Sequence, residues 1–214
     1  MERTLVVGLG NPGARYDNTR HNIGFLAVDR LAYDLNVELT QQKFSAHYGQ
    51  GTLPNRAPAV LLKPQTFMNL SGKSVAPCVK FFQVPLERVI VIHDELEFPF
   101  GVVRVKVGGG HAGHNGLRSI VEQLGGAKEF VRVRVGIGRP KRGSVSDYVL
   151  SKFSADEQPW LDDLCRQVSK DIVQVIEEGP RAAMNTIHAR PSLYPTLEPT
   201  PKPSSPLSPS SGVK

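Results

Sequence analysis

Val89-Ile90-Val91-Ile92-His93-Asp94-Glu95 is the stretch that settles the fold class. Four consecutive branched apolar residues offer no polar face, so they read as a strand buried on both sides, the pattern of a parallel sheet covered by helices. The run ends in an imidazole and two carboxylates. That puts Asp94 at the carboxyl edge of the sheet, where ligands collect in open α/β folds. Two other apolar runs behave alike: Leu5-Val6-Val7-Gly8-Leu9 leads to Asn11 and then His21, and Ala59-Val60-Leu61-Leu62 runs out into Met68 and Asn69.

Outward from these strands, apolar periodicity alternates between two and about 3.6 residues. It predicts strand 4–9, helix 21–36, a polar strand 43–52, strand 59–63, helix 71–83 and strand 89–93. Beyond them come strand 102–107, a glycine-rich loop 108–116, helix 117–124, strand 131–135, a long helix 155–178 and a short helix 180–187. The fold class is therefore α/β: a single domain whose twisted, mixed, mainly parallel sheet is flanked by helices on both faces, with strand 102–107 pairing antiparallel. The chain has 214 residues, enough for one sizeable core. Seven prolines and six serines crowd the residues after Arg190, a stretch too poor in apolar side chains to pack alone. Residues 1–189 are expected to form the domain and 190–214 a disordered Pro/Ser-rich tail.

The formal charge of +6 is concentrated rather than spread. Segment 101–142 holds nine basic residues against Glu122 and Glu129, so the remainder of the chain is nearly neutral. In Val103-Arg104-Val105-Lys106-Val107 and Val131-Arg132-Val133-Arg134-Val135 the cations alternate with valines, which makes one face of each strand cationic and favours a polyanionic partner. Cys78 and Cys165 lie far apart in apolar contexts, with no metal or redox spacing, and read as buried thiols of a reducing compartment. No segment reaches the roughly 20 apolar residues of a membrane span. A cytoplasmic location is expected.

Three chemistries compete at the strand ends. Gly8-Leu9-Gly10-Asn11-Pro12-Gly13 has the spacing of a dinucleotide-binding loop, but that loop must open directly onto a helix N-terminus, and here Pro12 and residues 14–20 intervene. A nucleotide-dependent oxidoreductase is the corresponding alternative. His93-Asp94-Glu95 with His111 and His114 offers metal ligands, although the two histidines sit in a glycine loop without helical spacing and without a cysteine. The third reading pairs His21 with Asp94 as a general base and its orienting carboxylate. With no serine in a nucleophile elbow, such a pair would activate water.

Taken together, Val7-Gly8-Leu9-Gly10-Asn11-Pro12-Gly13, Thr19-Arg20-His21-Asn22-Ile23-Gly24, Lys63-Pro64-Gln65-Thr66-Phe67-Met68-Asn69-Leu70-Ser71-Gly72, His93-Asp94-Glu95, Gly109-Gly110-His111-Ala112-Gly113-His114-Asn115-Gly116 and Arg134-Val135-Gly136-Ile137-Gly138-Arg139-Pro140 resemble, in order, the motifs of the bacterial peptidyl-tRNA hydrolase family. The resemblance covers about residues 3–188. It implies a monomeric, metal-independent enzyme without cofactor that cleaves the ester between a peptide and the terminal ribose of tRNA. By the same resemblance His21 would be the base on water, Asp94 its partner, and Asn11 the sensor of the acylated amino group. Asn69 and Asn115 would bind the peptide main chain and help place the water or oxyanion. Tyr16, Phe67 and Met68 would line the groove around peptide and terminal adenosine, with His114 on the loop beside them. Lys106 and Arg134 would clamp phosphates of the acceptor stem and 3′ end, extended by Lys141 or Arg142, and helix 155–178 would lid the peptide groove. The alternative from another class is a tRNA-binding protein of the same fold without esterase activity.

Overall fold

The computed structural model describes residues 2–194. In chain order its strands are β1 (Thr4–Gly8), β2 (Gln41–Lys43), β3 (Ala46–Thr52), β4 (Pro58–Pro64), β5 (Val89–Glu95), β6 (Val103–Val107) and β7 (Val131–Gly136). Its helices are α1 (Ile23–Asp34), α2 (Gly72–Phe82), α3 (Asn115–Gln123), α4 (Val145–Val149), α5 (Leu161–Glu178) and α6 (Pro180–Ala189). The strands form one sheet in the order β2-β3-β4-β1-β5-β7-β6. The central β4, β1, β5 and β7 run parallel, while β2, β3 and β6 are antiparallel to their neighbours at the two edges. The expected antiparallel strand is β6.

Two cores follow from the two-residue repeat of the strands. Val6, Leu61, Ile90, Ile92, Val133 and Val135 face α1, α5 and α6, whereas Leu5, Val7, Val60, Leu62, Val89 and Val91 face α2 and α3. The first turn of α1 sits directly on the sheet. A side chain at Gly24 would lie 2.4 Å from the Leu9 nitrogen and 2.6 Å from the Ile92 oxygen, so only glycine lets the helix come this close.

Several elements depart from the sequence expectation for local reasons. Helix α1 starts at Ile23, since Arg20–Asn22 form a 3-10 turn. The expected strand 43–52 is a hairpin, with Phe44 and Ser45 at φ of 59° and 50° reversing the chain between β2 and β3. The expected helix 155–178 begins as the 3-10 turn Gln158–Trp160 and becomes α-helical at Leu161. Helix α5 packs against α1, α6 and β7, away from the carboxyl edge of the sheet, so it does not lid the groove as expected. That position belongs to the unforeseen α4, whose Ser144 hydroxyl accepts the Asp147 N–H as an N-cap. The expected start of the tail also falls inside packed structure. Arg190 pairs with buried Asp171, the Ser192 hydroxyl donates to the Phe100 carbonyl, and Tyr194 packs edge-on against Phe100. Residues 195–214, the rest of the expected tail, lie outside the described residues.

Candidate active site

Strand order reverses beside β1, since the chain after β1 goes to β4 on one side and only later to β5 on the other. The loops leaving the carboxyl ends of such neighbours splay apart, and a cleft of about 720 Å³ opens there. Its wall contains Asn11, Tyr16, His21, Phe67, Met68, Asn69, Asp94, Lys106, His114, Asn115 and Arg134. Every residue singled out from the motifs therefore meets in one place, drawn from five separate segments. Lys141 and Arg142 stand exposed outside this wall.

At the floor, His21 Nδ1 lies 2.8 Å from Asp94 Oδ1. The carboxylate is an acceptor, so the imidazole carries its proton on Nδ1 and turns its Nε2 lone pair to the cleft. Both chain neighbours of His21 are fixed. The buried Arg20 guanidinium forms a fork on Glu157 at 3.0 and 2.6 Å and covers the rings of Tyr148 and Phe153. Asn22 accepts the Asn11 N–H and donates to the Asn11 carbonyl at 2.8 and 2.9 Å, which ties the turn bearing His21 to the loop after β1. Burial opposes protonation of His21, but the charge and hydrogen bond of Asp94 outweigh it, and its pKa stands above the ordinary 6.5. Burial would raise Asp94. The imidazoles of His21 and His114 instead hold it well below the usual carboxylate range.

His114 shares that carboxylate oxygen, with Nε2 3.0 Å from Asp94 Oδ1. Its Nδ1 accepts the N–H groups of Gly116 and Leu117 and so caps α3. These partners define the tautomer as Nε2–H. The arrangement also bears on metal binding, because His21 Nδ1, Asp94 Oδ1 and His114 Nε2 lie within 4.8 Å of one another. A metal on His114 Nε2 would need the proton on Nδ1, where it would face two backbone donors. The donor set therefore does not fit a metal ion. Behind this group lies His93, fully buried, donating from Nδ1 to the Asp94 carbonyl while Nε2 has no hydrogen-bond partner among the described residues. Burial, with His114 alongside, pushes its pKa down to about 3.

Three asparagine amides join His21 in the cleft wall. Asn11 Oδ1 accepts the Met68 N–H at 2.7 Å, which leaves the Asn11 Nδ2 donors for the cleft. The Met68 contact commits the Asn11 oxygen to the backbone, so this residue can meet a substrate as a donor. Asn69 and Asn115 are exposed on the cleft wall, on contacting elements, the 3-10 turn Met68–Leu70 and the start of α3. Tyr16 and Phe67 meet edge to face at 6.4 Å, and Phe67 stays half exposed while Met68 is buried.

The cationic face divides into unlike members. Register places Lys106 opposite Arg132 and Arg104 opposite Arg134, so Lys106 and Arg134 are diagonal neighbours rather than a facing pair. Arg134 Nε holds Glu95 at 2.9 Å over the Phe98 ring, leaving its terminal nitrogens open to the cleft. Arg132 is buried and donates to the carbonyls of Gly108, Gly109 and Gly110. The dinucleotide spacing fails structurally: after Gly13 comes a 3-10 turn, Ala14–Tyr16, and no helix opens until Ile23. The sequence put Arg132 on the cationic face and His93 among possible metal ligands, but did not reveal Arg132's hold on the glycine loop, the buried place of His93, the Asn22 clasp on Asn11 or the Arg20–Glu157 pair. Only the polar run Thr19-Arg20-His21-Asn22, unusual at a buried helix start, hinted at any of them.

With this geometry established, comparison with known proteins is specific. The sequence profile of the family described as Peptidyl-tRNA hydrolase matches residues 5–194. A peptidyl-tRNA hydrolase of Geobacter sulfurreducens is 57% identical over 164 residues, 77% of this chain and 84% of that protein. One from Sorangium cellulosum is 50% identical over 190 residues, 87% of this chain and 84% of its own length. The crystal structure of peptidyl-tRNA hydrolase from Acinetobacter baumannii superposes with a TM-score of 0.80 at 42% identity, covering 87% of this chain and 94% of that one.

Proposed function

The chain belongs to the peptidyl-tRNA hydrolase family, and from that premise we propose how its own residues hydrolyse the ester joining peptide to tRNA. The observation that carries the reading is the His21–Asp94 pair at the floor of a cleft bordered by three asparagines. His21 Nε2 takes a proton from water as the oxygen attacks the acyl carbon. The carbonyl π bond becomes an oxyanion, which the amides of Asn69 and Asn115 stabilise as donors. Collapse of this intermediate breaks the bond to the ribose oxygen, and that leaving oxygen recovers the proton from His21. Asp94 stays ionised throughout and stabilises the transient imidazolium. General-base help is worth roughly 10²–10⁴ and one oxyanion donor roughly 10²–10³ in rate.

Selection against ordinary aminoacyl-tRNA follows from the donor of Asn11. An N-acylated substrate presents an extra carbonyl that Asn11 Nδ2 can satisfy, whereas a free α-amine presents a cation and no acceptor. A donor left unpaired in a buried site discriminates more strongly than a missing methylene. Asparagine amides on the rims read a peptide main chain without regard to its side chains. Tyr16 and Phe67 supply stacking area for the terminal base, and Lys106 with the open edge of Arg134 meets backbone phosphates of the acceptor stem, a contact that carries no sequence information.

The cleft is complete within one chain, which supports action as a monomer. Two buried, unpaired cysteines support a reducing cytoplasm, and among the described residues no helix is long and apolar enough to cross a membrane. The deciding experiment is hydrolysis of N-acetyl-aminoacyl-tRNA beside the unacetylated form, in EDTA, for the intact protein and His21→Ala. Cleavage of the acetylated ester alone, reduced roughly 10²–10⁴-fold by the substitution, is expected. Binding of tRNA with no cleavage would leave the tRNA-binding alternative in its place.

A further inference from the structure

Arg132 lies at the centre of the cationic face yet has few N–H donors left to offer a phosphate. It is 4% exposed, and its terminal nitrogens are committed to three successive carbonyls, those of Gly108, Gly109 and, at 2.7 Å, Gly110. These carbonyls belong to a loop that has few other reasons to hold one shape. Gly108, Gly109, Ala112 and Gly113 all have positive φ, between 47° and 89°. Inside the loop the backbone closes on itself through the His114 N–H on the His111 carbonyl, and Gly108 N–H reaches Phe130. Glycines lose more conformational entropy on ordering than any other residue, so a loop of this composition needs an external anchor.

What the loop carries explains why an anchor matters. Its last residue is His114, which donates to Asp94 and caps α3, and the next is Asn115 on the cleft rim. We propose that Arg132 is a positioning residue: it does not bind tRNA but pins the glycine loop 108–110, so that His114 reaches Asp94 and Asn115 faces the substrate. Lys106, opposite Arg132 in the β6–β7 ladder, is the phosphate-facing member of the pair. Lysine cannot replace Arg132 in this task, because an ammonium is a point charge without the planar fork that spans several carbonyls. The inference rests on the mechanistic reading above but is tested separately from it.

The test compares Arg132→Lys and Arg132→Gln with the unmodified full chain. It reads kcat and KM on N-acetyl-aminoacyl-tRNA, tRNA affinity across a salt series, and amide hydrogen exchange of residues 108–117. For Arg132→Lys, kcat should fall at least about tenfold as His114 and Asn115 lose their positions. Loop amides should exchange at least about tenfold faster. Affinity for tRNA should stay within about twofold with an unchanged salt slope, whereas loss of one phosphate contact lowers that slope by about 0.9. A weakened affinity with a lower salt slope, at unchanged kcat and loop exchange, would make Arg132 a phosphate ligand and overturn the proposal. No change in any readout overturns it too. Should the glutamine variant fail to fold, the lysine variant carries the comparison. In the unmodified chain the His114, Gly116 and Leu117 amides must already exchange slowly, and fast exchange there sinks the idea without any variant. If the unmodified protein shows no hydrolysis, the mechanistic reading fails while loop exchange still decides the role of Arg132.

Discussion

Asp94 does three things for His21 at once: it sets the tautomer, holds the ring, and raises the pKa. In the proposed mechanism His21 acts as a base only when neutral, so activity falls as pH falls through the His21 pKa, and the acid limb of kcat/KM should lie above 6.5. Asp94→Asn removes the charge that raises it. Burial then acts unopposed, the limb moves below 6.5, and the plateau rate drops by about 10²–10⁴ as orientation and imidazolium stabilisation are lost. A pH–rate profile of the two proteins checks both shifts; a limb that stays put would remove Asp94 from the titration of the base. His93 makes the opposite kind of prediction, about stability. Its pKa is pushed down to about 3, and the unfolded chain binds that proton near 6.5. Stability conferred by keeping it neutral is therefore present above pH 6.5 and lost as pH falls toward 3, at about 1.4 kcal/mol per unit. Asp94, also depressed, adds its own loss below its ordinary pKa near 3.8, and His21, with its raised pKa, adds a gain as pH falls through its folded value. Replacing His93 by Phe should flatten the urea-unfolding free energy between pH 6.5 and 4. An unchanged slope would show that His93 takes up its proton in the folded state.

At the level of elements, the contact between α1 and the sheet transmits backbone position to the base. The three atoms a methyl at Gly24 would meet first, Leu9 N, Leu9 O and Ile92 O at 2.4 to 2.6 Å, are all backbone and cannot swing aside as a side chain can. Gly24→Ala should push α1 outward, cost about 1–3 kcal/mol, and carry the His21 turn off Asp94, lowering kcat/KM as well. Thermal melts and initial rates would detect the two effects; a stable, fully active variant would mean that the helix reseats freely. The strands that hold this helix were the most legible part of the sequence, because Val89–Ile92 and Leu5–Val7 are apolar on both faces and admit one interpretation. Edges read less well. The β2–β3 hairpin hid in a polar run because its reversal depends on Phe44 and Ser45 adopting positive φ, which neither residue type signals. Helix α4 escaped for want of length: five residues do not complete two turns of an amphipathic repeat.

Across the whole molecule, motif order brought the site residues together, because each motif ends a strand or opens a loop at the same sheet edge. Charge was legible only in sum. Alternation placed Arg104, Lys106, Arg132 and Arg134 on one face, but burial of Arg132 depends on how the glycine loop folds back over it and capture of Arg134 by Glu95 on the pairing of β5 with β7, neither of which a local pattern encodes. Composition misplaced the domain boundary for a related reason: residues 190–194 have the polar, proline-rich look of a tail, yet they close the far side of the core. Arg190 is bound to Asp171, whose carboxyl is 1% exposed and whose pKa burial raises even with the guanidinium beside it. Tyr194 meets Phe100 and Trp160 at 5.2 and 6.3 Å. Two truncations separate these roles. A chain ending at Tyr194, where the family profile also ends, should melt and hydrolyse like the full chain. A chain ending at Ala189 removes the counter-ion of the Asp171 carboxylate, leaving it the Gln167 amide, and uncovers the Phe100 ring, which should cost about 2–4 kcal/mol. For a domain of this size that lowers Tm by roughly 4–16 °C. Adding Asp171→Asn to the shorter chain removes the stranded charge and should recover part of the loss, while the same substitution in the full chain removes a paired group and should destabilise it. Equal melting of the two truncations would return the boundary to residue 189, and failure of Asp171→Asn to recover any stability would assign the loss to the aromatic contacts of Tyr194 instead.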